Sequence, residues 1–585
     1  MSIVNFLPLP LAVGLFFGVF YKYHLFYQEQ MQLFQNTGEY FCRRLAHPGG
    51  LAAYLGEYLT QFFYSATLGT LVLVLLALVL QGFVVAITHT LTRKSVYTLL
   101  TALPSLAFFI LFCNENVLLS GIVALILSAA AASAGLRIKT SQLRMVFYLL
   151  MIPVLYWLAG SSVLLFALTV IPAEWLRAKK SGRKSTPPYA LTATGLFLLL
   201  LSPLCAKVVL PNYPWERFLL AGNYYRYVSD YTYIFYALFV GTATVPLLIR
   251  LLSDVHAKKK RLWLIAMQFI VLAGICTAGV RRTADWGKEE IMHYDYLSRT
   301  ENWNALIALG QTTNPDNPLT VPLHNLALEL TGNLPEHAFG YFQKGGEGLL
   351  PTFRKEYINA VVTGDIYYKL GMINAAQYFA FEAMELIPDY RKSVRCIKRL
   401  AETNLINANY RVAEKYLRLL QNTLFYKQWA TETLHLTSDE ERINAHPVWG
   451  VLRKYRPQES FLFYEKDKTP MLESVARQEP TNRPAYDYLL MYTLLQKDLQ
   501  RFYTYYRESN TVPEGTTKVP RAYREALAYV WSLTNFDPAR RPPGVDREIL
   551  DKLEQYRQVY IAYDNSEPML RTSFGNTYWY YFHFR

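Results

Sequence analysis

Glu29 stands in the stretch FYQEQMQLFQNTGEYF, directly after the first apolar run of the chain. A carboxylate there is either a solvated loop acid or, when a helix bundle shields it, a base whose pKa can rise toward use. Glu115 holds a comparable place in the short turn NEN between the third and fourth apolar runs. Four cations accompany them. Arg217 and Arg226 fall in YPWERFLLAGNYYRYVSD, and Arg281 and Arg282 follow the last apolar run. At headgroup depth these could hold a lipid phosphate, or serve as interface anchors paired with Glu216 and Asp230. Tyr213, Tyr224, Tyr225 and Tyr227 could stack on a sugar, or form the aromatic belt common at membrane boundaries. His24, Glu39 and Glu57 are weaker acid–base candidates.

These residues must be positioned by two unlike halves. Up to about residue 280 the chain of 585 residues is a series of long apolar runs. They fall at 6–21, 66–86, 97–113, 117–135, 145–159, 161–176, 190–209, 231–252 and 262–280, which reads as nine spans. The pair around Gly160-Ser161-Ser162 is short enough to be two spans or a re-entrant hairpin. With the N-terminus inside, the inside loops carry Arg93, Lys94, Arg137, Lys139, Arg144, Arg177, Lys179, Lys180, Arg183, Lys184 and the run Lys258–Arg261. The outside loops are poorer in Lys and Arg, so the basic bias places residues 281–585 outside the cytoplasm. The net charge of +14 is largely this inside collar, which argues for anionic headgroups and against nucleic acid as the partner. The first run lacks a small-residue cleavage site after it and reads as an uncleaved anchor. No acid sits mid-span, which argues against an ion-coupled transporter. The five cysteines show no metal-ligand spacing; Cys42 and Cys113 could pair, but isolated thiols are the simpler reading.

From residue 281 onward no run is long enough to span. GDIYYKLGMINAAQYFAFEAMELIP places Gly364, Tyr367, Gly371, Ala376, Ala380, Ala383 and Pro388 at the intervals of a helix–turn–helix repeat. This segment resembles a tetratricopeptide repeat, whose small residues let two helices pack. Related patterns lie around Gly332, in NANYRVAEKYLRLLQ and in AYDYLLMYTLLQKDLQRFYTYY, so an α-solenoid is expected over 281–585. The aromatic end NTYWYYFHFR is expected to dock on that array or at the membrane interface. No phosphate-binding glycine loop, zinc-protease motif or nucleophile elbow occurs in it.

The first outside loop, 22–65, reads as two juxtamembrane helices. Over residues 25–41, Glu29, Gln32 and Asn36 share a helical stripe. In LAAYLGEYLTQFFY, Leu51, Leu55, Tyr58, Leu59, Phe62 and Phe63 form one face and Ala52, Gly56, Glu57 and Thr60 the other. A first span, an acid soon after it, two such helices, further spans and an outside soluble domain resemble the GT-C membrane glycosyltransferases. A repeat array after such a core also resembles a branch of protein O-mannosyltransferases. The wording EQMQLFQNTGEYF…PGGLAAYLGEYLTQFFY is similar to a family of uncharacterised polytopic inner-membrane proteins of Bacteroidota. The glycosyltransferase resemblance implies an all-α, GT-C-like membrane domain (1–280) that moves a sugar from a polyprenyl-(di)phosphate carrier to a protein or glycan acceptor. It implies Glu29 as base with Glu115 assisting, Arg217, Arg226, Arg281 and Arg282 on the lipid phosphate, and Tyr224 and Tyr225 against the sugar. The paired acids common in that family's first loop are replaced by Gln-Glu-Gln, so no metal is indicated. Location in a bacterial inner membrane with a periplasmic 281–585 follows. The alternative is a membrane-anchored repeat scaffold for an envelope assembly or export complex, with no chemistry.

Overall fold

The computed structural model describes residues 8–92, 95–181, 188–219, 224–227, 232–252, 258–388, 391–456, 467–508, 519–533, 542 and 544–585. Arg93, Lys94, Arg183, Lys184 and Asp230 lie outside them. Among the described residues the regular structure is helical throughout, nearly all of it α-helix, with no strand. The chain divides into two compact units. The first holds Met1–Glu289 and Gln421–Gln428, the second Glu290–Leu420 and Trp429–Arg585.

The first unit begins with Pro8–Leu15 (α1), a π-helical turn Phe16–Phe20, and Tyr23–Gln30 (α2). Gly38–Leu45 (α3) and Gly50–Thr60 (α4) follow, then Ala66–Leu91 (α5), Leu103–Phe112 (α6) and Ser120–Arg137 (α7). Ser141–Ala159 (α8), Val163–Ser181 (α9), Pro188–Val209 (α10) and the short Trp215–Leu219 (α11) come next. Thr232–Leu251 (α12), Lys258–Thr283 (α13) and the first turn of Trp286–Arg299 (α14) complete it. Among the described residues, six segments are long and apolar enough to cross a membrane, and seven if the bent pair α1–α2 counts as one. Their outer faces carry exposed large apolar side chains, among them Leu71, Leu75, Leu196, Phe197, Leu200, Leu262 and Ile270. A soluble surface rarely tolerates such a continuous band, whereas lipid does.

Two of the nine expected spans take another form. The first bends by 78° between Pro8–Phe20 and α2, because the π turn hands the chain to a helix lying across it. The expected span 97–113 is a 3-10 stretch, Ser95–Ala102, followed by the ten-residue α6. The apolar run Ser141–Lys179 folds back on itself at Gly160, whose φ of +70° glycine adopts without strain. Arg144 at the start of α8 binds Glu174 near the end of α9 at 2.7 Å, so the two helices run antiparallel. Packing between α7 and its neighbours relies on small residues. Ala124, Ser128, Ala132 and Gly135 are buried, and a Cβ at Gly135 would lie 2.6 Å from the Tyr148 ring.

The second unit consists of short helices joined by tight turns. Tyr357–Lys369 and Ile373–Glu385 pack as a hairpin, with Gly364 against Phe379 and Gly371 at φ +87° in the turn. Ala376, Ala380 and Ala383 are buried in that pair, on the face their spacing predicts. The aromatic terminus forms the helix Tyr578–Phe584. It packs inside this unit, with Tyr578, Trp579, Tyr580 and Tyr581 buried and the Trp579 indole donating to the Glu525 carbonyl at 2.8 Å.

Candidate active site

The site is built around α2, a polar helix that is buried on every side. Its sequence YHLFYQEQ leaves His24, Gln28, Glu29 and Gln30 as well as Leu25, Phe26 and Tyr27 buried. Buried polar groups need partners, and α2 finds them in the loops around it. The Gln28 amide donates to the Val117 carbonyl at 3.1 Å and lies 3.2 Å from the His24 ring. Ahead of the helix, the Tyr21 hydroxyl donates to the Cys113 carbonyl at 3.1 Å and accepts from the Asp285 N–H at 3.1 Å.

Glu289 caps the N-terminus of α2. Its carboxylate accepts from the Tyr23 N–H at 2.8 Å and the His24 N–H at 2.9 Å, two donors a helix start cannot satisfy internally. Burial pushes the Glu289 carboxyl up to about 7, against the pull of those two N–H bonds and of Lys22. Its ordinary value is 4.5, so the folded chain holds this proton more tightly than the unfolded chain. The stability owed to it is then greatest below about pH 4.5 and falls as the pH rises to about 7. Glu289→Gln should remove that slope: near pH 4.5 it should be close to neutral, and above pH 7, where the native protein must bury an ionised carboxylate, the variant should be the relatively more stable of the two. Thermal unfolding of both proteins between pH 4.5 and 8 checks this; identical slopes would contradict it.

Glu29 is 5% exposed. Its carboxylate accepts from the Gln30 side-chain amide and from the Tyr426 hydroxyl, the latter at 3.2 Å. Tyr426 reaches it from Gln421–Gln428, the short segment that belongs to this unit. Glu115 is bound differently: Lys288 pairs with it at 2.7 Å and the Asn116 amide donates at 3.4 Å. Arg226 stands between the two acids in the bonding pattern. Its N–H donates to the Asn116 carbonyl at 2.7 Å, and its guanidinium donates to the Met31 carbonyl at 3.2 Å, just past α2. The loop 114–118 and residues 224–226 are joined further by the Leu118 N–H to Tyr224 carbonyl bond and the Val117–Tyr225 bridge. Arg226 thus meets the end of α2 that carries Glu29, whereas Glu115, through Lys288, stands by the start of the helix that Glu289 caps.

The other named residues lie elsewhere. Arg217 is buried in α11, which packs near the Gly160 turn. Tyr224 is fully buried against Phe235 and Phe239, and its hydroxyl engages the Ala159 carbonyl and the Ser162 N–H. A ring enclosed in that way braces the α8–α9 turn and offers no face to a sugar. Tyr225 is 5% exposed, held in the bridge to Val117, and Tyr213 packs on Phe218 and His47. Arg281 and Arg282 are exposed at the end of α13.

Arg281 borders an apolar groove of about 480 Å³ between α1 and α13, with α6 as its floor. Val13, Phe16, Phe20, Ile110 and Cys276 line it, and Arg281 and Trp286 stand at one end. A further hollow of about 220 Å³ shares Leu9, Ala12, Leu106, Cys276 and Thr277 and extends the groove toward Leu99 and Phe269. Among the described residues no group of three His, Cys, Asp or Glu side chains could hold a metal ion.

The expected pair of juxtamembrane helices is corrected in its first member. The helix over 25–41 divides into α2 and α3, with 32–36 non-helical. Gln32 and Asn36 therefore leave the Glu29 stripe: the Gln32 amide donates to the Glu57 carbonyl at 2.8 Å, and the Asn36 N–H to the Asn422 carbonyl at 2.7 Å. The second member forms as α4 and the turn Gln61–Tyr64, with Ala52, Gly56, Glu57 and Thr60 buried. Glu57 accepts from the Tyr40 hydroxyl at 2.6 Å and pairs with Arg44 at 2.9 Å, which ties α4 to α3. Gly56 sits so close to α7 that a Cβ would lie 2.5 Å from the Ser120 backbone nitrogen. Gly56→Ala should push α4 off α7 and cost about 1–3 kcal/mol, read as a lower unfolding midpoint.

The profile of the Family of unknown function (DUF6057) matches residues 1–585. The chain belongs to that family. No curated protein and no solved structure matches it. In this DUF6057 chain, sequence reasoning missed Gln30, Tyr426, Lys288 and Glu289. Tyr426 lies 397 residues from its partner Glu29, and no local pattern marks such a pairing. Glu289 had a signal: an acid nine residues past the last apolar run, beside the start of α2.

Proposed function

We propose that this protein is a membrane glycosyltransferase of the GT-C type, moving a sugar or oligosaccharide from a polyprenyl-(di)phosphate carrier to a protein or glycan acceptor outside the cytoplasm. The observation that carries the reading is the buried carboxylate of Glu29 on a polar helix enclosed at the end of a bundle of apolar helices. Burying so many polar groups is costly, and anchoring alone does not require it. In the reaction, Glu29 takes the proton of the acceptor hydroxyl, whose oxygen attacks the anomeric carbon. The bond from that carbon to the carrier phosphate breaks, and the phosphate leaves toward positive charge. Arg281, which borders the apolar groove, and its neighbour Arg282 are the cations for that phosphate, and Arg226 holds the chain just past α2 at Met31. The reading takes the spans as nine, the N-terminus as cytoplasmic and the second unit as a periplasmic tetratricopeptide-like solenoid that presents acceptors.

Deletion in the native host, a bacterium on this reading, followed by comparison of surface glycans and glycoproteins tests the proposal. A glycan lost from protein or polysaccharide is the expected result; an unchanged glycan profile would contradict it. The packed helix hairpins of the second unit favour a second reading, a non-enzymatic scaffold for an envelope complex. In that case damage to the hairpins, and not to Glu29, would abolish function.

A further inference from the structure

Gln421–Gln428 packs with the first unit although the chain on either side of it belongs to the second. The first outside loop grips it with both main-chain and aromatic contacts. The Asn36 N–H donates to the Asn422 carbonyl at 2.7 Å, and the Leu424 N–H donates to the Gln61 side-chain oxygen at 3.3 Å. The Phe425 ring lies parallel to Tyr64 at 4.8 Å and edge-on to Phe62 at 6.1 Å. Tyr426 follows, edge-on to Tyr64 at 5.7 Å. Its hydroxyl accepts from the Gln30 amide at 2.9 Å and donates to Glu29 at 3.2 Å.

This is how proteins hold peptides: main-chain bonds give sequence-tolerant affinity, and a side-chain pocket gives the preference. We propose that the first outside loop is a peptide-binding cleft, that Gln421–Gln428 fills it in cis, and that the Tyr426 hydroxyl marks where a peptide hydroxyl meets Glu29. The last clause rests on the transferase reading; the cleft itself does not. A base must lie within hydrogen-bond reach of the proton it takes, and the Tyr426 hydroxyl is the donor that occupies that position. The acceptor class that follows is an extended polypeptide with an aromatic side chain for the Phe62–Tyr64 pocket, followed by a hydroxyl-bearing residue. An acidic residue at that second place is excluded, because it would bury a second negative charge beside Glu29. Tethering gives the cis segment a high effective concentration, so it competes strongly with any free peptide.

The test uses the full-length protein in lipid nanodiscs and a fluorescein-labelled peptide of sequence QNTLFYKQ, followed by polarisation. The wild-type protein should bind it weakly, and Phe425→Ala with Tyr426→Ala should bind it about tenfold or more tightly by emptying the cleft. Adding Phe62→Ala to that variant should remove the gain. Equal binding by the wild-type and emptied proteins, or binding by neither, would overturn the cleft. Should the double variant unfold, Phe425→Ala alone carries the same expectations. Tight peptide binding with no transfer to any acceptor would sink the transferase reading and leave the cleft standing. Transfer that the peptide cannot inhibit in the emptied variant would do the reverse.

Discussion

Glu29→Gln is expected to lower glycan transfer by about 10²–10⁴-fold, the range general-base groups contribute, while the protein folds and inserts as before. The substitution is close to isosteric. A glutamine carbonyl can still accept from the Tyr426 hydroxyl or the Gln30 amide, two donors to the carboxylate. What it cannot do is take a proton from an acceptor hydroxyl. Two readouts separate the roles: transfer by the variant in a deletion host, and its thermal unfolding in detergent. Lost transfer with an unchanged unfolding midpoint fits a reacting group. Transfer at the wild-type level would leave Glu29 a structural acid and favour the scaffold.

The second large effect concerns the second unit. Arg395 forms a two-pronged pair with Asp295, both bonds at 2.7 Å, and a further bond to Asp365 at 2.7 Å. Arg399 also holds Asp365 at 2.7 Å. Burial pushes the Asp365 carboxyl up, but the two guanidinium groups outweigh it and hold the carboxyl well below the usual range. Arg395→Met leaves Asp295 without this pairing in the interior, which should destabilise the unit by about 3–5 kcal/mol. Lysine is a poor substitute because it lacks the planar fork. Urea unfolding of the full chain, with hydrogen exchange to locate the change, measures the loss. Adding Asp295→Leu should recover most of it, since replacing a whole buried pair by apolar groups is often neutral. A cost below about 1 kcal/mol for Arg395→Met would show that the cluster does not brace the unit.

Where side chains alternate between a wet or lipid face and a packed one, the amino-acid pattern was enough. The small face of α4 and the buried alanines of Ile373–Glu385 were readable because helical period sorts them. Several of the apolar runs were readable by length. α2 was not, because all of its sides are buried and a polar helix without an outside has no period to detect. The π turn at Phe16–Phe20 was equally hidden, since apolar composition says nothing of where a helix bends, whereas the turn at Gly160 was marked by the short polar break Gly160-Ser161-Ser162. Glu29 and Glu115 were legible as acids beside apolar runs. Their actual partners, Tyr426 and Lys288, depend on chain segments hundreds of residues away or on a helix start beyond the last span.

The most direct measurement mixes purified protein in nanodiscs with membranes of the deletion host, which supply the host's own lipid-linked glycans and acceptors. Glycan is then followed from the lipid extract into the protein or polysaccharide fraction. Movement with the wild-type protein and none with Glu29→Gln is the predicted result. No movement with either protein, or equal movement with both, would contradict the assignment of Glu29 as the reacting base.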